Sequence, residues 1–325
     1  FTQNGGNDFT NAALYRPTGQ LNTRNNDRDV EIKNARFNAR YRVPTDLTLF
    51  LKTGADWREQ MVREQSRQRR WNYTGTTALP ADPSIVTWDS LKTGRRVPQW
   101  ESASFIRGEV PVTPALWRED DYFREQSSYT GTRSVTETVT AGYLLAQAKV
   151  QRAGFLAGVR TEKTEDSSWG WVRAHSGSTA AQQAADPVGT AARDYASTRR
   201  ELDGSYTKSF PSAHFNYDVT SNLKARLSWS TSFGRPALTN YLPNETFNDT
   251  TQLLTINNPS LKPQTAENWD ATLEYYFEPV GNFSVGWFHK TIEDYLVTNF
   301  EIGTVPTGAD NGYNGEYGGY TLRST

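Results

Sequence analysis

The sequence predicts an all-β protein: an antiparallel transmembrane β-barrel segment of about eight strands, with short periplasmic turns and long extracellular loops. Apolar and polar residues alternate with a period of two along several segments, as expected for strands with one apolar face. Short turns and long polar connections also alternate strictly, which is typical of membrane barrels. Aromatic residues form 13% of the 325 residues, with 10 Trp and 16 Tyr against one Met, and this composition favours strands over helices.

The strands are predicted from this alternation, in order along the chain. It is clearest at Leu223 to Phe233 and at Trp269 to Phe277, where an apolar face opposes a polar one. The run Tyr143-Leu144-Leu145 has apolar residues on both faces, so the facing of its strand stays open. Residues 1–29 are interpreted as the end of a loop. The predicted strands lie within 35–43, 47–57, 135–150, 155–159, 213–219, 223–233, 269–277 and the segment after 282.

Two kinds of connection separate the strands. Loops longer than about 15 residues are uncommon in compact domains, whereas a membrane barrel carries them on its extracellular side. A soluble β-sandwich would show the same alternation, but its apolar face would point inward to a core and its polar face outward to water. The low-complexity stretch from His175 to Thr198 is expected to be mobile. Tight turns of turn-forming residues are predicted at 44–46, 151–153, 220–222 and 279–282, and long connections at roughly 74–134, 166–205 and 235–265.

The composition argues against several classes of function. The 35 Lys and Arg residues balance 36 Asp and Glu residues, so the chain lacks the basic surface that nucleic-acid binding requires. There is no cysteine and the three histidines lack metal-ligand spacing, so no metal site and no cofactor are predicted. The pair Asp120-Asp121 beside Arg118 and Arg124 is interpreted as a solvated charge cluster rather than a glycosidase pair. No enzyme is therefore predicted.

Several short motifs occur in a characteristic order. They are GVRTE at 158–162, FPSAHFNY at 210–217, RLSWSTSFGRP at 226–236, LP at 242–243, NPSLKP at 258–263, NWD at 268–270, LEYY at 273–276 and GWFHK at 286–290. The ordered set resembles the C-terminal part of the barrel of TonB-dependent outer-membrane receptors, with a style similar to receptors linked to carbohydrate uptake. The resemblance covers roughly residues 130–325.

The resemblance implies a location and a function. It implies a barrel of 22 strands with a plugged lumen, in the outer membrane of a Gram-negative bacterium. Such a receptor takes up a large or scarce substrate, here an oligosaccharide or a ferric siderophore. Its partners would be outer-membrane lipid and lipopolysaccharide, its own plug domain, the small or oligomeric substrate, and the TonB complex, contacted through an N-terminal region. Residues 1–325 are then expected to be a partial barrel domain without the plug and the terminal strands.

Two groups of residues are candidates for shaping the barrel. Glycine permits unusual dihedral angles and proline removes a ladder donor, so a Gly-Arg-Pro motif is predicted to end a strand at the outer rim. An Asn-Pro and a Lys-Pro pair are predicted to keep the backbone extended where the chain leads into the next strand. Opposite charges on two neighbouring strands are predicted to form a ladder inside the barrel. The strand-end candidates are Gly234, Arg235, Pro236, Asn258, Pro259, Lys262 and Pro263, and the ladder candidates are Lys224, Arg226, Glu274 and Glu278.

Aromatic and basic residues in the long loops are candidates for contact with a ligand. The run from Arg63 to Arg70 either attracts an anionic ligand or lipopolysaccharide, or is neutralised by Glu59, Glu64 and their neighbours. Loop aromatics either pack within the loops and the interfacial girdle or stack on a ligand. The candidate ligand or loop aromatics are Trp71, Tyr73, Trp88, Trp100, Trp169 and Trp171.

Two alternatives remain open from the sequence. One is a secreted β-sandwich that binds carbohydrate or hydrolyses glycosides, in which the apolar strand faces would be buried against a second sheet. In a barrel segment, the face carrying Leu223, Leu227, Trp269 and Leu273 would instead be exposed to lipid. The other alternative is a passive porin.

Overall fold

Strands form most of the structure, a computed structural model that describes residues 19–76, 86–87, 99–100, 103–172, 177–257, 261–297, 299–313 and 315–324. Strands β9, β12 and β13, whose ranges follow, are rich in the β-branched and aromatic residues that fit a pleated surface. In chain order, the strands are β1 Gln20–Arg42, β2 Thr48–Tyr73, β3 Val86–Thr87, β4 Gln99–Trp100, β5 Trp117–Glu119, β6 Thr132–Val150, β7 Ala153–Trp171, β8 Arg199–Asp218, β9 Leu223–Gly234, β10 Glu245–Asn248, β11 Leu253–Ile256, β12 Gln264–Phe277, β13 Gly281–Glu293, β14 Phe300–Thr304 and β15 Thr321–Ser324.

The long strands form one sheet in the order β1-β2-β6-β7-β8-β9-β12-β13, and β5 also pairs with β2. The registers from β6 to β13 are antiparallel throughout. Consecutive strands join through short turns, while 74–131, 172–198 and 235–263 connect one hairpin to the next. The predicted all-β, antiparallel arrangement of hairpins joined by long connections is therefore confirmed.

Strand boundaries differ from the sequence prediction in two places. Strand β1 begins at Gln20, inside the stretch interpreted as a loop, and β7 and β8 extend well into the connection predicted at 166–205. Polar and charged residues make up most of these extensions, for example Arg24, Asp27 and Arg28 in β1. Periodicity of apolar residues alone therefore stops short of the true strand ends.

In the described parts of the long connections, the structure has four helices. The stretch from His175 to Thr198, which the sequence predicts to be mobile, contains two of these helices in its described part, and its mobility stays a prediction. Thr179 forms a capping box with Gln182, and Asp186 caps the next helix, whose first residue is Pro187. The side chain of Tyr195 is fully buried. The helices are α1 Ala103–Val112, α2 Asp121–Thr130, α3 Ala180–Ala185 and α4 Pro187–Tyr195, and short 3₁₀ turns occupy Pro114–Leu116 and Leu238–Tyr241.

The chain divides into two compact units. The first comprises 1–27, 65–132 and 177–197, and the second comprises 28–64, 133–176 and 198–325. Within the first unit, Tyr122 of α2 donates a hydrogen bond to Asp194 of α4, and Tyr129 stacks on Tyr195 at 5.4 Å between ring centroids. A second contact cluster in that unit contains Leu21, Trp117, Trp71, Tyr73, Ile106, Val110 and Leu116.

The second unit contains a small sheet and the part of the main sheet whose two faces differ in chemistry. The small sheet has the order β10-β11-β15-β14, and its core contains Leu254, Val305, Tyr317 and Tyr320. Strand β11 pairs with β15 in parallel, while β10 and β14 pair antiparallel with their neighbours. Among the described residues, no helix is long and apolar enough to cross a membrane.

The two faces of the main sheet differ in chemistry. One row of paired residues crosses five strands as Phe155, Phe215, Leu227, Ala271 and Trp287. We call the face that carries this row the outer face, and the opposite one the inner face. Because side chains alternate along a strand, Tyr143 and Leu145 of β6 lie on the inner face and Leu144 lies on the outer face. The orientation of this strand, which the sequence left open, is thereby determined.

The exposure of the outer face excludes a β-sandwich. Leu227, Trp269 and Leu273 are 45%, 38% and 42% exposed, and Leu223 is partly buried on the same face. No sandwich core could leave these side chains uncovered, because burying them is what would stabilise it. A membrane barrel exposes them to lipid.

We expect Leu227→Arg to impair folding of the full-length receptor into a bilayer, by about 2–4 kcal/mol if the side chain lies near the midplane. The matched control is Ser228→Arg, which places the same charge on the inner face opposite Asp270. The measurement is the folded fraction in vesicles, read from heat-modifiable mobility on gels. Equal folding of the two variants would contradict the assignment of the faces.

Candidate functional site

A chain of ion pairs crosses the inner face of the sheet in the second unit. Its charges alternate in sign, so each acid lies between two arginines. We call these seven residues the inner-face network. Its contacts are Arg36–Asp56 at 2.9 Å, Asp56–Arg160 at 3.5 Å, Arg160–Glu162 at 2.5 Å, Glu162–Arg235 at 2.6 Å, Arg235–Glu137 at 3.6 Å and Glu137–Arg58 at 2.5 Å.

Strand periodicity brings these side chains together. Arg160 and Glu162 are two residues apart on β7 and therefore share a face, as do Asp56 and Arg58 on β2. Glu137 of β6 is paired across from Asp166 of β7. Each member is distant in sequence from most of the others, so the network exists only because the strands lie side by side.

Arg235 links two strands of the network. Strand β9 ends at Gly234, as predicted for the Gly-Arg-Pro motif, and Pro236 is buried. The chain leaves the ladder there, and the Arg235 guanidinium reaches Glu162 on β7 and Glu137 on β6. The side chain of Glu137 is only 5% exposed, and both Arg58 and Arg235 lie against it. Arg235 thus has a contact role that its sequence motif did not reveal.

Next to the network lies a group of buried polar side chains that we call the polar pocket: Thr164, Asp166, Tyr206 and Tyr241. The side-chain oxygens of all four are buried without a hydrogen-bond partner in the described structure. The segment after β9 packs over them, because Ser168 donates a hydrogen bond to the carbonyl of Tyr241 at 2.5 Å. Tyr241 also packs with Val62, Val135 and Leu242.

Burial raises the pKa of Asp166 to about 7, the negative charge of Glu137 adds to the rise, and Arg235 opposes it. Asp166 lies above the lipid-facing part of β7, because at this level the outer face carries Lys163 and Glu165, which form an ion pair at 2.6 Å. A carboxyl in this environment holds its proton near neutral pH.

The ladder candidates lie at the turn ends of β9 and β12. Arg226 and Glu274 form an ion pair at 3.1 Å, and Lys224 is paired across from Glu274. Lys224 also lies 5.7 Å from the ring centroid of Tyr276. Glu278 follows the last residue of β12 and is exposed. The structure thus brings together three of the four candidates, and their role inside a barrel remains a proposal.

A hollow of about 640 Å³ adjoins this pair, and Lys149, Arg152, His214, Asn216 and Lys224 are among its lining residues. Two lysines and two arginines line it against one aspartate, Asp218, so it is predominantly basic.

The loop aromatics occupy different environments. Trp71 and Tyr73 pack in the apolar cluster around Trp117. Trp169 and Trp171 meet edge to face at 5.5 Å between ring centroids, and the Arg199 guanidinium lies 5.0 Å from the Trp169 ring. Of the remaining candidates, Trp88 lies outside the described residues, and Trp100 is described only as part of strand β4.

Of the other strand-end candidates, Pro263 is fully buried and Lys262 is exposed just before β12. Asn258 and Pro259 lie outside the described residues.

The basic run is neutralised in part, but by partners that the sequence did not indicate. Arg69 donates two hydrogen bonds to Glu119, each 2.7 Å, and these hold the pKa of Glu119 below its usual range. Arg70 lies 3.7 Å from the Phe123 ring centroid. Glu64 instead binds Arg133 at 2.8 Å. The expectation that Glu59 and Glu64 neutralise this run is therefore wrong for Arg69, because strand pairing brings Glu119 closer.

The pair Asp120-Asp121 has local roles. Asp120 accepts a hydrogen bond from the Phe123 amide and so caps α2, while Asp121 forms an ion pair with Arg124 at 2.5 Å. Within the ranges that the structure describes, there is no cluster of three or more acidic or histidine side chains that could hold a metal ion.

An exposed apolar face backed by an ion-paired inner face defines this sheet as part of the wall of a transmembrane β-barrel. The model of the family described as TonB dependent receptor-like, beta-barrel, matches residues 1–323. The chain therefore belongs to the TonB-dependent receptor β-barrel family, which confirms the resemblance in the motifs. Members of this family are receptors and transporters rather than enzymes. Among curated proteins, no sequence matches this chain.

Several solved structures are similar to this chain at low sequence identity. The hemophore receptor HasR from Serratia marcescens, in complex with its hemophore and heme, is 11% identical with a TM-score of 0.38, covering 92% of this chain and 44% of its own. A mutant ferric enterobactin receptor, PfeA from Pseudomonas aeruginosa, is 10% identical with a TM-score of 0.32 and coverages of 85% and 46%. The siderophore receptor PirA from Acinetobacter baumannii is 12% identical, with a TM-score of 0.33 and coverages of 86% and 40%. The chain thus spans less than half the length of these structures.

The raised pKa of Asp166 predicts a stability that depends on pH. Between the ordinary value of 3.8 and about 7, the folded protein keeps a proton that the unfolded chain has released. The free energy of unfolding should therefore fall as pH rises through this window. Asp166→Asn should remove the decline and stabilise the receptor at pH 8 by about 1–4 kcal/mol. Urea unfolding in detergent micelles at pH 4 to 8 measures this, with Asp270→Asn as the exposed inner-face control.

We expect Arg235→Leu to destabilise the receptor by about 3 kcal/mol, because it leaves two largely buried acids with fewer cationic partners. The comparison is Arg226→Leu, which breaks a more exposed pair and should cost less than about 1 kcal/mol. Urea unfolding midpoints distinguish the two. If Glu162→Gln restores none of the loss in the Arg235→Leu background, the ion pair is not its cause.

Proposed function

We propose that this chain forms part of the barrel wall of a TonB-dependent receptor in the outer membrane of a Gram-negative bacterium. The complete receptor would import a substrate too large or too scarce for porins. The observation that carries this proposal is the family match over 1–323, together with an outer face that exposes apolar side chains opposite an ion-paired inner face.

The two faces have separate tasks in this proposal. The outer face contacts lipid through the apolar row from Phe155 to Trp287. The inner face lines the lumen, where the inner-face network holds neighbouring strands together and the Arg226–Glu274 pair faces the receptor's own plug domain. Because a buried salt bridge has little net effect on stability but requires a defined geometry, we infer that the network mainly fixes strand arrangement.

The remaining partners follow from the same proposal. The TonB complex would act on the plug through an N-terminal region, and lipopolysaccharide would surround the outer rim. An oligosaccharide and a ferric siderophore are both candidate substrates, since the fold does not determine the ligand. Residues 1–325 would form a partial barrel domain, without plug and terminal strands. The chain itself would carry no catalytic step.

We expect uptake by the full-length receptor to require TonB and the proton motive force. The test compares cells with and without the receptor, in wild-type and TonB-deficient backgrounds, supplied with a panel of labelled ferric siderophores and oligosaccharides. The supporting result is uptake of one substrate that is lost without TonB and lost with a protonophore. Receptor-dependent uptake that persists under both conditions would instead indicate a passive porin.

A further inference from the structure

The balance of charge on the inner face changes along the strands. In the inner-face network, each acidic side chain contacts two arginines, so opposite charges lie side by side. This balance is lost near the short turns that follow β6 and β8. There, the hollow of about 640 Å³ beside the Arg226–Glu274 pair has four cationic side chains and one carboxylate among its lining residues. We call it the basic hollow.

Strand pairing explains why this surface is concave. One row of paired residues crosses four strands as Lys149, Gly154, Asn216 and Arg226. The two long cationic side chains thus stand at the ends of the row, and a glycine and a short amide lie between them. Three strand spacings separate the two ends, which is about 14 Å. A hollow of this width and volume is in the range of small-ligand sites.

The cations of the basic hollow are only partly compensated. Arg226 is paired with Glu274 at 3.1 Å, while Arg152 donates a hydrogen bond to the carbonyl of Val219 at 3.2 Å and so keeps its net charge. Within the described residues, neither of the two lysines forms an ion pair. The Lys224 ammonium instead lies 5.7 Å from a tyrosine ring centroid. The surface therefore attracts anions.

The kind of cation indicates reversible binding. A lysine ammonium is a strongly hydrated point charge on a flexible stem, whereas an arginine guanidinium fits a carboxylate in a fixed, bidentate geometry. The inner-face network pairs its acids with arginines, and the unpaired charges of the basic hollow are lysines. A site through which a solute passes must bind weakly enough to release it. Lys149 and Lys224 suit such a site better than a permanent contact.

We propose that the basic hollow is a transit site on the lumen wall for anionic oxygen groups, carboxylates or phosphates, of the transported substrate. Lys149 and Lys224 would attract the anion, and His214 and Asn216 would offer hydrogen bonds between them. The substrate is then an anionic chelate or an acidic oligosaccharide, and not a neutral sugar. This inference rests on the proposed function, which places the inner face in the lumen of a transporter.

The test uses the full-length receptor in detergent, where both ends of the lumen are open to solvent. Calorimetric titrations at low salt use citrate as a chelate-type polycarboxylate, trigalacturonate as an acidic saccharide and maltotriose as a neutral one. We expect at least one of the anions to bind, and K149Q/K224Q to weaken its binding about tenfold, as for the loss of two exposed charge contacts. The wild-type affinity should also fall more steeply with salt. The anion that depends on the two lysines identifies the class of substrate.

The matched control is K52Q/K208Q, which removes the same two charges from the inner face outside the basic hollow. Lys52 lies four residues from Asp56 on β2 and therefore on the same face, and Lys208 is paired across from Glu162. This control should bind the anions as wild type does. Folding of each variant is checked by heat-modifiable mobility, and Lys149→Gln alone serves if the double variant does not fold.

Anion affinity that is equal in wild type and a folded K149Q/K224Q variant overturns the proposal, as does the absence of binding by both anions. Binding of maltotriose that depends on the same two lysines would also contradict it. If the variant instead exposes the plug to protease while anion affinity is unchanged, the hollow holds the plug and the proposal fails. Uptake that proves independent of TonB would contradict the proposed function, while the comparison of affinities in detergent stays interpretable by itself.

Discussion

Each long strand meets two environments at once, because successive side chains point to opposite faces of the sheet. The row Phe155, Phe215, Leu227, Ala271 and Trp287 exists because four registers align apolar positions across five neighbouring strands. A shift of one residue in any of these registers would turn apolar side chains toward the charged face. Register is therefore the constraint on which both the lipid contact and the inner-face network depend.

The inner-face network shows how this constraint accommodates charge. Glu137 and Glu162 are buried, yet each contacts two arginines: Glu137 contacts Arg58 of β2 and Arg235, and Glu162 contacts Arg160 of its own strand and Arg235. Asp166 is paired directly across from Glu137 but has no hydrogen-bonded partner, and its environment favours the protonated form. Ion-paired acids and an acid with a raised pKa thus lie on one face, and Arg235 contacts the first kind.

Much of the fold could be predicted from period-two alternation, tight turns and motif order. The hairpin formed by β12 and β13 and the strand end at Gly234 needed no tertiary information. The candidate site was less accessible. Arg226 and Glu274 were found because both lie on strands with clear alternation, whereas Glu137 and Asp166 lie where charged and apolar positions mix. Two charges spaced by two residues, as at Arg160 and Glu162, were the available signal for the network.

The sequence by itself determined the strand character, the family and the apolar face, because these properties are encoded in neighbouring residues. Only the tertiary structure decided which charges meet. Arg235 is 73 positions from Glu162, and Glu119 is 50 positions from Arg69. The helices α3 and α4 likewise became evident only in the fold, since burial of Tyr195 stabilises a segment whose composition suggests mobility. Contacts of this kind depend on strand pairing across long loops, and no local pattern records that pairing.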